Sequence, residues 1–253
     1  MDPEAIAFGT VASVAQAVGT STPSVVRLAT ALGYEGFAAL RGAARAELSV
    51  RLNTDAVRAR ATPAGDPVRA LLDAEHRNLD ATLGGLDPGV VTAVGDLLDD
   101  GGRHLWVLPN TMTAGVAQRF VDQVAIIRGG VTLLDGSELR VRSTLGGLRR
   151  GDVLLSMDVP RHELATVRVQ AAAIERGAVP VVLSGSVPVA LSSEGGHLIR
   201  FACEAVGPFE SLVGLTALAT LLVNELVSRR RDVAADRLAA LERTWTTAGL
   251  LDA

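Results

Sequence analysis

The sequence predicts an α/β protein in which a small all-helical domain precedes a parallel β-sheet sandwiched by helices. Short helices broken by glycines occupy the first 60 residues, and a linker-like segment rich in Pro, Gly and Ala follows at 61–67. From residue 68 to residue 253, apolar runs alternate with helical stretches. Such alternation is typical of βαβ units, which build parallel sheets with helices on both faces. We therefore predict domains at 1–60 and 68–253.

The elements of the second domain follow from the length and spacing of its apolar runs. Two amphipathic helices come first, at 66–83 and 87–98, and each opens with an Asp-Pro pair that supplies an N-cap and a tolerated proline. Five apolar runs are predicted as strands, at 104–108, 131–134, 153–157, 179–183 and 198–203. The remaining stretches predict helices at 113–127, 137–146, 161–176, 209–231 and 232–245.

Composition limits the class of protein. A hydrophobic fraction of 48% allows a packed core, and aromatic residues supply only 3%. No apolar run reaches the roughly 18 residues of a membrane span, and the acidic start differs from a signal peptide, so we expect a cytoplasmic protein without a membrane partner. With a single cysteine, Cys203, and four histidines without metal-ligand spacing, we expect no disulfide, metal or cofactor.

Residues 11–30 have the pattern of a helix-turn-helix. Gly19 suits the left-handed backbone of a turn, Ser21 is placed to cap the second helix, and Pro23 lies in its first turn. The positions expected to pack between the helices are Val14, Ala15, Val18, Thr20, Val25 and Leu28. The residues left facing outward are Ser21, Thr22, Pro23, Val26, Arg27 and Thr30.

This outward face suits the major groove of double-stranded DNA. Its hydroxyls can meet phosphates or bases, Val26 a thymine methyl, and Arg27 a guanine or a phosphate. Arg41 and Arg45, one helical turn apart, are candidate phosphate contacts, and a solvated helix face explains them equally well. The alternative for the motif is a helical hairpin used for packing or dimerisation, with Arg27 paired to a neighbouring acid.

Residues 15–37 resemble the N-terminal domain of RpiR/MurR-type transcription regulators. The residues AQAVGTSTPSVVRL and LGYEGF follow the family signature A-x-x-x-G-V-S-x-x-T-V-V-R-F and L-G-F-x-G-F without a gap. Family members usually carry one more helix before this point, so we expect a truncated first helix. The resemblance implies an operator-binding regulator whose residues 70–230 form a sugar isomerase (SIS) domain that binds a carbohydrate derivative. Because one recognition helix with a single arginine gives little affinity, we expect a homodimer or homotetramer, with contact surfaces at 212–227 and 66–98.

The same resemblance implies two ligand-binding loops at the carboxyl ends of strands. The family pattern Gly-x-Gly-x-Ser corresponds to LPNTMT at 108–113, and Ser-x-Ser-Gly-x-Thr corresponds to DVPRHE at 158–163. A carboxylate at Asp158 repels phosphate, and Pro160 lacks a backbone donor. Arg161 and His162 can meet an anion at a helix start; equally, Asp158 can cap that helix and pair with Arg161 as a purely structural turn.

The candidate ligand-binding residues are Asn110, Thr111, Thr113, Asp158, Arg161, His162, Ser184 and Ser186. We expect them to bind a small anion or polyol without transforming it, with weak affinity for hexose phosphates. Two alternatives stay open. One is an isomerase-type enzyme with Glu163 and His162 as candidate acid and base, and the other is a regulator whose SIS domain only oligomerises. The helix-turn-helix ahead of the domain favours regulation.

Overall fold

The computed structural model describes residues 6, 10–49, 65–160, 163–185, 196–207 and 209–250. The chain divides into two compact units, residues 1–64 and 65–253. Of the predicted site residues, Arg161, His162 and Ser186 lie outside the described residues, and so does the side chain of Arg45. No described helix is both long and apolar enough to cross a membrane.

The first unit contains three helices, α1 (Val11–Ala17), α2 (Thr22–Ala31) and α3 (Phe37–Ser49). Gly19 has the expected positive φ of 65°. The Ser21 hydroxyl caps α2 by accepting a hydrogen bond from the backbone N–H of Ser24, and a proline occupies the first turn. The core of this unit is small; its buried side chains are Val14, Ala15, Val25, Ala29, Phe37 and Leu40.

The expected packing of Val18, Thr20 and Leu28 is wrong. All three are exposed, Val18 at 42% and Leu28 at 40%. The helix α2 instead buries Val25 and Ala29, which are four residues apart and share one face. Leu28 is turned about 100° away from Ala29, and Val18 lies beyond the last residue of α1.

The second unit opens with α4 (Pro67–Leu83) and α5 (Pro88–Asp99), whose caps are Asp66 and Asp87 as predicted. The alternating part of the unit follows: β1 (Leu105–Pro109), α6 (Ala114–Ile127), β2 (Val131–Leu133), α7 (Glu138–Thr144), β3 (Val153–Asp158), α8 (Leu164–Glu175), β4 (Val179–Ser184), β5 (His197–Arg200), α9 (Val213–Arg229) and α10 (Arg231–Thr247). A single 3₁₀ turn, Leu145–Gly147, follows α7.

The five strands form one parallel sheet in the order β2-β1-β3-β4-β5, which confirms the predicted fold class. Several boundaries differ from the predictions by one to four residues; among them, β5 ends at Arg200 and α9 begins at Val213, whose N–H donates a hydrogen bond to the Ser211 hydroxyl. The chain leaves β1 in one direction across the sheet and β3 in the other. Ligands of open parallel sheets bind at such a switch point, at the carboxyl ends of the strands.

Helices cover both faces of the sheet. Alternate residues of β1 point to opposite faces, so Leu105 and Val107 join the larger core under α5, α6 and α9, whereas Trp106 and Leu108 join the smaller core under α7 and α8. The larger core is continuous with the start of α10 through Ala234. Because all five strands are parallel, their amino ends lie at one edge of the sheet and their carboxyl ends at the other. Loops meet at these two edges, which the helices do not cover.

A buried arginine fastens the amino edge of the sheet. Arg128 is 1% exposed, and its guanidinium donates hydrogen bonds to the backbone carbonyls of Leu98, Arg103 and Gly129. Burial lowers the pKa of Arg128, with a further lowering from Arg230. The carbonyls belong to the end of α5, the approach to β1 and the approach to β2, so this one side chain joins three segments.

Candidate functional site

The outward face of α2 is exposed as the sequence predicts. Ser21, Thr22, Pro23, Val26, Arg27 and Thr30 are all exposed, and Arg41 is partly buried on α3. The Thr30 hydroxyl donates to the carbonyl of Val26 within the helix, which leaves its lone pairs for an external donor. Their part in DNA binding stays a prediction.

Arg27 is held by neutral partners. Its Nη2 donates to the Ser24 hydroxyl at 3.0 Å, and the Ser24 and Ser21 hydroxyls lie 2.9 Å apart. Within the described part of the chain, no carboxylate pairs with Arg27. The ion-pair alternative is therefore absent among these residues, and no described carboxylate offsets the charge of the exposed guanidinium.

At the carboxyl edge of the sheet, a buried polar network ties β1 to β3. The Asn110 side-chain amide donates to the Asp158 carboxylate at 2.7 Å, and the Thr113 hydroxyl donates to the Met157 carbonyl at 2.8 Å. Asn110, Thr113 and Asp158 are 2%, 0% and 8% exposed, and Ser184 beside Asp158 is fully buried. The sequence analysis predicted that these side chains line a cleft. In the structure they are buried, and Asn110 and Thr113 form hydrogen bonds that join the ends of β1 and β3.

The backbone donors of the first loop are used internally. The N–H groups of Met112 and Thr113 both donate to the Asn110 side-chain oxygen at 3.0 Å, and the N–H of Thr111 donates to the Glu163 carboxylate at 2.9 Å. Consecutive N–H groups of this kind are what a phosphate needs in a loop cradle. Because Asn110 and Glu163 already occupy them, the first loop offers no free cradle for phosphate.

A cavity of about 320 Å³ opens beside this network and is called the carboxyl-edge cavity below. Of the predicted ligand residues that the structure describes, Asn110 and Thr111 line it, whereas Thr113, Asp158 and Ser184 do not. Its other polar lining comes from residues that the sequence analysis did not select as ligand contacts: Asp135, Glu138, Glu163 and Thr166. Asp135 directly follows the run containing β2, so the rule that selected Asn110 after β1 could also have found it.

The lining of the carboxyl-edge cavity contains three carboxylates, two of which are paired with arginines. Asp135 lies 3.8 Å from the Arg140 guanidinium, and Glu138 lies 2.8 Å from that of Arg142, so both carboxylates have partners at the partly exposed rim. Glu163 faces the Thr111 N–H. Such a lining accepts hydrogen bonds from hydroxyl or amino groups and disfavours a phosphate. The described residues include no group of three His, Cys, Asp or Glu that could hold a metal ion.

Comparisons with known proteins show which solved structures share this fold. No protein-family model and no curated protein matches the sequence. Among solved structures, the chain is similar to the sugar isomerase domain of the RpiR transcription factor from Sphaerobacter thermophilus, at 28% identity and a TM-score of 0.60, over 70% of this chain and 98% of that chain. This chain therefore has the fold of a SIS domain and is similar to an RpiR transcription factor.

Two further solved structures share the fold of this chain. The NanR protein of Vibrio vulnificus, solved with ManNAc-6P, is 18% identical with a TM-score of 0.63, over 98% of this chain and 89% of that chain. A phosphoheptose isomerase from Francisella tularensis is 12% identical with a TM-score of 0.54, over 69% of this chain and 100% of that chain. The SIS fold thus occurs in both regulators and isomerases. The fold alone does not decide between these two functions, and only the residues of the site can do so.

Proposed function

We propose that this chain is an RpiR-type transcription regulator that binds operator DNA through α2 and binds a small-molecule effector in the carboxyl-edge cavity without transforming it. The exposed face of α2 carries the proposal, because Arg27 there bonds to the neutral Ser24 hydroxyl and pairs with no described carboxylate. The likeness to NanR over 98% of this chain supports the same two-part organisation.

The effector we propose presents hydroxyl or amino groups to the carboxyl-edge cavity. A ligand that relies on a phosphate group for its affinity should bind there only weakly. Asp135, Glu138 and Glu163 are acceptors, and the loop N–H groups that could hold phosphate are already bonded to Asn110 and Glu163. A polyol or an amino sugar fits this lining. The Glu163 carboxylate is engaged by Thr111, which argues against its use as a free catalytic base.

We also propose that the regulator is a homodimer or a larger homo-oligomer. A groove of about 530 Å³ runs between α4 and α9 and is lined mainly by apolar side chains, among them Leu79, Leu83, Ala217 and Leu221. On α4, Val68 and Leu71 are 73% and 51% exposed. A second copy that covers these helices would bring two recognition helices to one operator.

The proposed function is tested by selecting operator duplexes from a random double-stranded DNA library with the full chain, then measuring release by sorbitol, glucosamine or glucose 6-phosphate. We expect release by a polyol or an amino sugar and little effect of the phosphosugar. Ala114→Leu, which narrows the cavity, should abolish the response, whereas Ala125→Leu, also exposed on α6, should keep it. Failure to select any sequence contradicts DNA recognition, and conversion of the added sugar would favour the isomerase alternative.

A further inference from the structure

A second cavity lies at the opposite edge of the sheet. It encloses about 350 Å³ at the amino ends of β1, β2 and β3 and is called the amino-edge pocket below. This volume falls within the range of roughly 300–1,000 Å³ that is common for small-molecule sites. The proposed function does not use this pocket, and the sequence analysis selected none of its residues.

Asp152 forms a rigid frame behind the amino-edge pocket. Its carboxylate is 5% exposed and accepts hydrogen bonds from the Trp106 indole N–H at 3.1 Å and from the backbone N–H groups of His104 and Arg149 at 3.1 and 2.9 Å. Burial raises the pKa of Asp152, but these hydrogen bonds outweigh it and hold the pKa below its usual value. All of these hydrogen bonds to the Asp152 carboxylate come from within the protein. They hold the pocket walls on β1 and before β3 in place without a bound ligand.

The charge around the pocket favours an anion. Arg103 is already bonded to Asp100 and to the Gly151 carbonyl. The exposed guanidinium of Arg149 makes no hydrogen bond or ion pair with any other described residue. Asp100 pairs with Arg103, and the Asp152 carboxylate is held by N–H donors, so neither carboxylate bonds to the Arg149 guanidinium. A free guanidinium is a planar fork that matches a carboxylate or a phosphate.

The remaining walls suit a flat ring. The rings of His104 and Trp106 lie 4.4 Å apart between centroids and are tilted by 45°. Burial lowers the pKa of His104, so its ring is mainly neutral at neutral pH, and its Nε2 lies 2.8 Å from the Thr132 hydroxyl. Glycines, among them Gly130 and Gly147, line the same space without side chains. A Cβ at Gly147 would make ordinary van der Waals contact with Trp106 Cη2, at 3.7 Å, so this part of the backbone lies close to the indole ring.

We propose that the amino-edge pocket is a second ligand site, which binds a small aromatic anion by pairing its carboxylate or phosphate with Arg149 and packing its ring against His104 and Trp106. Guanidinium forks recognise both kinds of anion through the same pair of N–H groups. Aromatic rings add favourable edge and offset contacts with indole and imidazole. The site is independent of the carboxyl-edge cavity, so it can exist whether or not the regulator proposal is correct.

The indole of Trp106 provides a direct readout. The chain has two tryptophans, so Trp245→Phe leaves Trp106 as the single tryptophan fluorophore and the single indole N–H reporter. In that background, we would titrate the full chain with benzoate, phenyl phosphate and the neutral analogue benzamide, following Trp106 fluorescence and its indole ¹H–¹⁵N signal. We expect a saturable change with at least one of the two anions and none with benzamide. A response to one anion alone assigns the preferred charged group.

A matched pair of arginine variants separates this site from general attraction of anions. Arg149→Gln removes the free guanidinium, and we expect it to weaken anion binding by about tenfold or more. Arg150→Gln removes the adjacent exposed arginine, which lies against Gly177 and does not line the pocket, and should leave binding unchanged. Equal losses in the two variants, equal binding of benzamide, or no saturable change with either anion would overturn the proposal.

Discussion

The two edges of the parallel sheet carry cavities of similar volume and opposite charge. The carboxyl-edge cavity is lined by three acidic side chains, Asp135, Glu138 and Glu163, and the amino-edge pocket by Arg103 and Arg149 around a committed Asp152. In open parallel sheets the carboxyl edge collects helix N-termini, whose partial positive charge attracts anions, and the amino edge collects helix C-termini. Here the side chains oppose the backbone at both edges.

This opposition has a local cause at each edge. At the carboxyl edge, Glu163 accepts the Thr111 N–H that an external anion would need. At the amino edge, Arg103, which lines the pocket, donates to the Gly151 carbonyl just before β3. Charged side chains that bond to backbone groups near the strand ends therefore also determine the charge of the cavity lining at each edge.

The largest effect is expected at the buried arginine of the amino edge. Arg128→Met keeps much of the side-chain volume but leaves the carbonyls of Leu98, Arg103 and Gly129 without their donor. We expect it to lower the free energy of unfolding by about 3 kcal/mol or more, since each orphaned buried acceptor costs about 1–3 kcal/mol. Urea denaturation of the full chain measures this loss.

A matched arginine at the carboxyl edge serves as the control for that loss. Arg140→Met removes an exposed partner 3.8 Å from Asp135 and should change the unfolding free energy by less than about 0.5 kcal/mol. Equal losses for Arg128→Met and Arg140→Met would contradict the claim that the two edges use arginine differently.

An intermediate effect is expected at Asp152, together with a dependence on pH. Because the pKa of Asp152 in the folded state lies below that in the unfolded state, its contribution to stability is complete above the unfolded value of about 3.9 and is lost as the pH falls through the folded value. Asp152→Asn should cost about 1–2 kcal/mol at pH 7. The difference from the parent chain should shrink below about pH 4; a constant difference across that range would contradict this assignment.

A smaller effect is expected at Glu163, where a substitution tests whether charge controls ligand binding in the carboxyl-edge cavity. Glu163→Gln keeps an oxygen to accept the Thr111 N–H and removes the negative charge. Binding of glucose 6-phosphate, measured by calorimetry, should strengthen by about fivefold, whereas binding of a neutral polyol should change little. Glu175→Gln, at the exposed end of α8, is the matched control. An unchanged phosphosugar affinity in Glu163→Gln would mean that charge does not govern this cavity.

The fold could be predicted from the sequence because each strand is a short apolar run and each early helix has a cap that can be recognised from sequence alone. Asp66 and Asp87 cap their helices as expected, and the five strands all pair in one parallel sheet. The packing inside the helix-turn-helix was predicted less well. Val18 and Leu28 are apolar and were expected to be buried. In the structure, α2 buries Val25 and Ala29 in one cluster with Phe37 of α3. The spacing of residues within the motif does not reveal that contact.

The candidate site was predicted in its place but not in its detail. The rule for open sheets located the carboxyl ends of β1 and β3, where the carboxyl-edge cavity begins. It could not tell that the Thr113 hydroxyl turns back to the Met157 carbonyl or that Asn110 binds its own loop, because hydrogen-bond directions depend on the folded backbone. The amino-edge pocket was missed because the same rule directs attention away from that edge.

Fluorescence anisotropy of a selected operator duplex with the full chain and its Arg27→Ala variant tests the central claim, that α2 recognises DNA, most directly. If Arg27 contacts a base, as we propose, Arg27→Ala should weaken operator binding by about 1–3 kcal/mol and relax sequence preference. The melting temperature should stay unchanged, and Arg69→Ala, exposed on α4, should bind like the parent. A loss of thermal stability that matches the loss of binding, with sequence preference unchanged, would contradict the account and assign Arg27 a structural role.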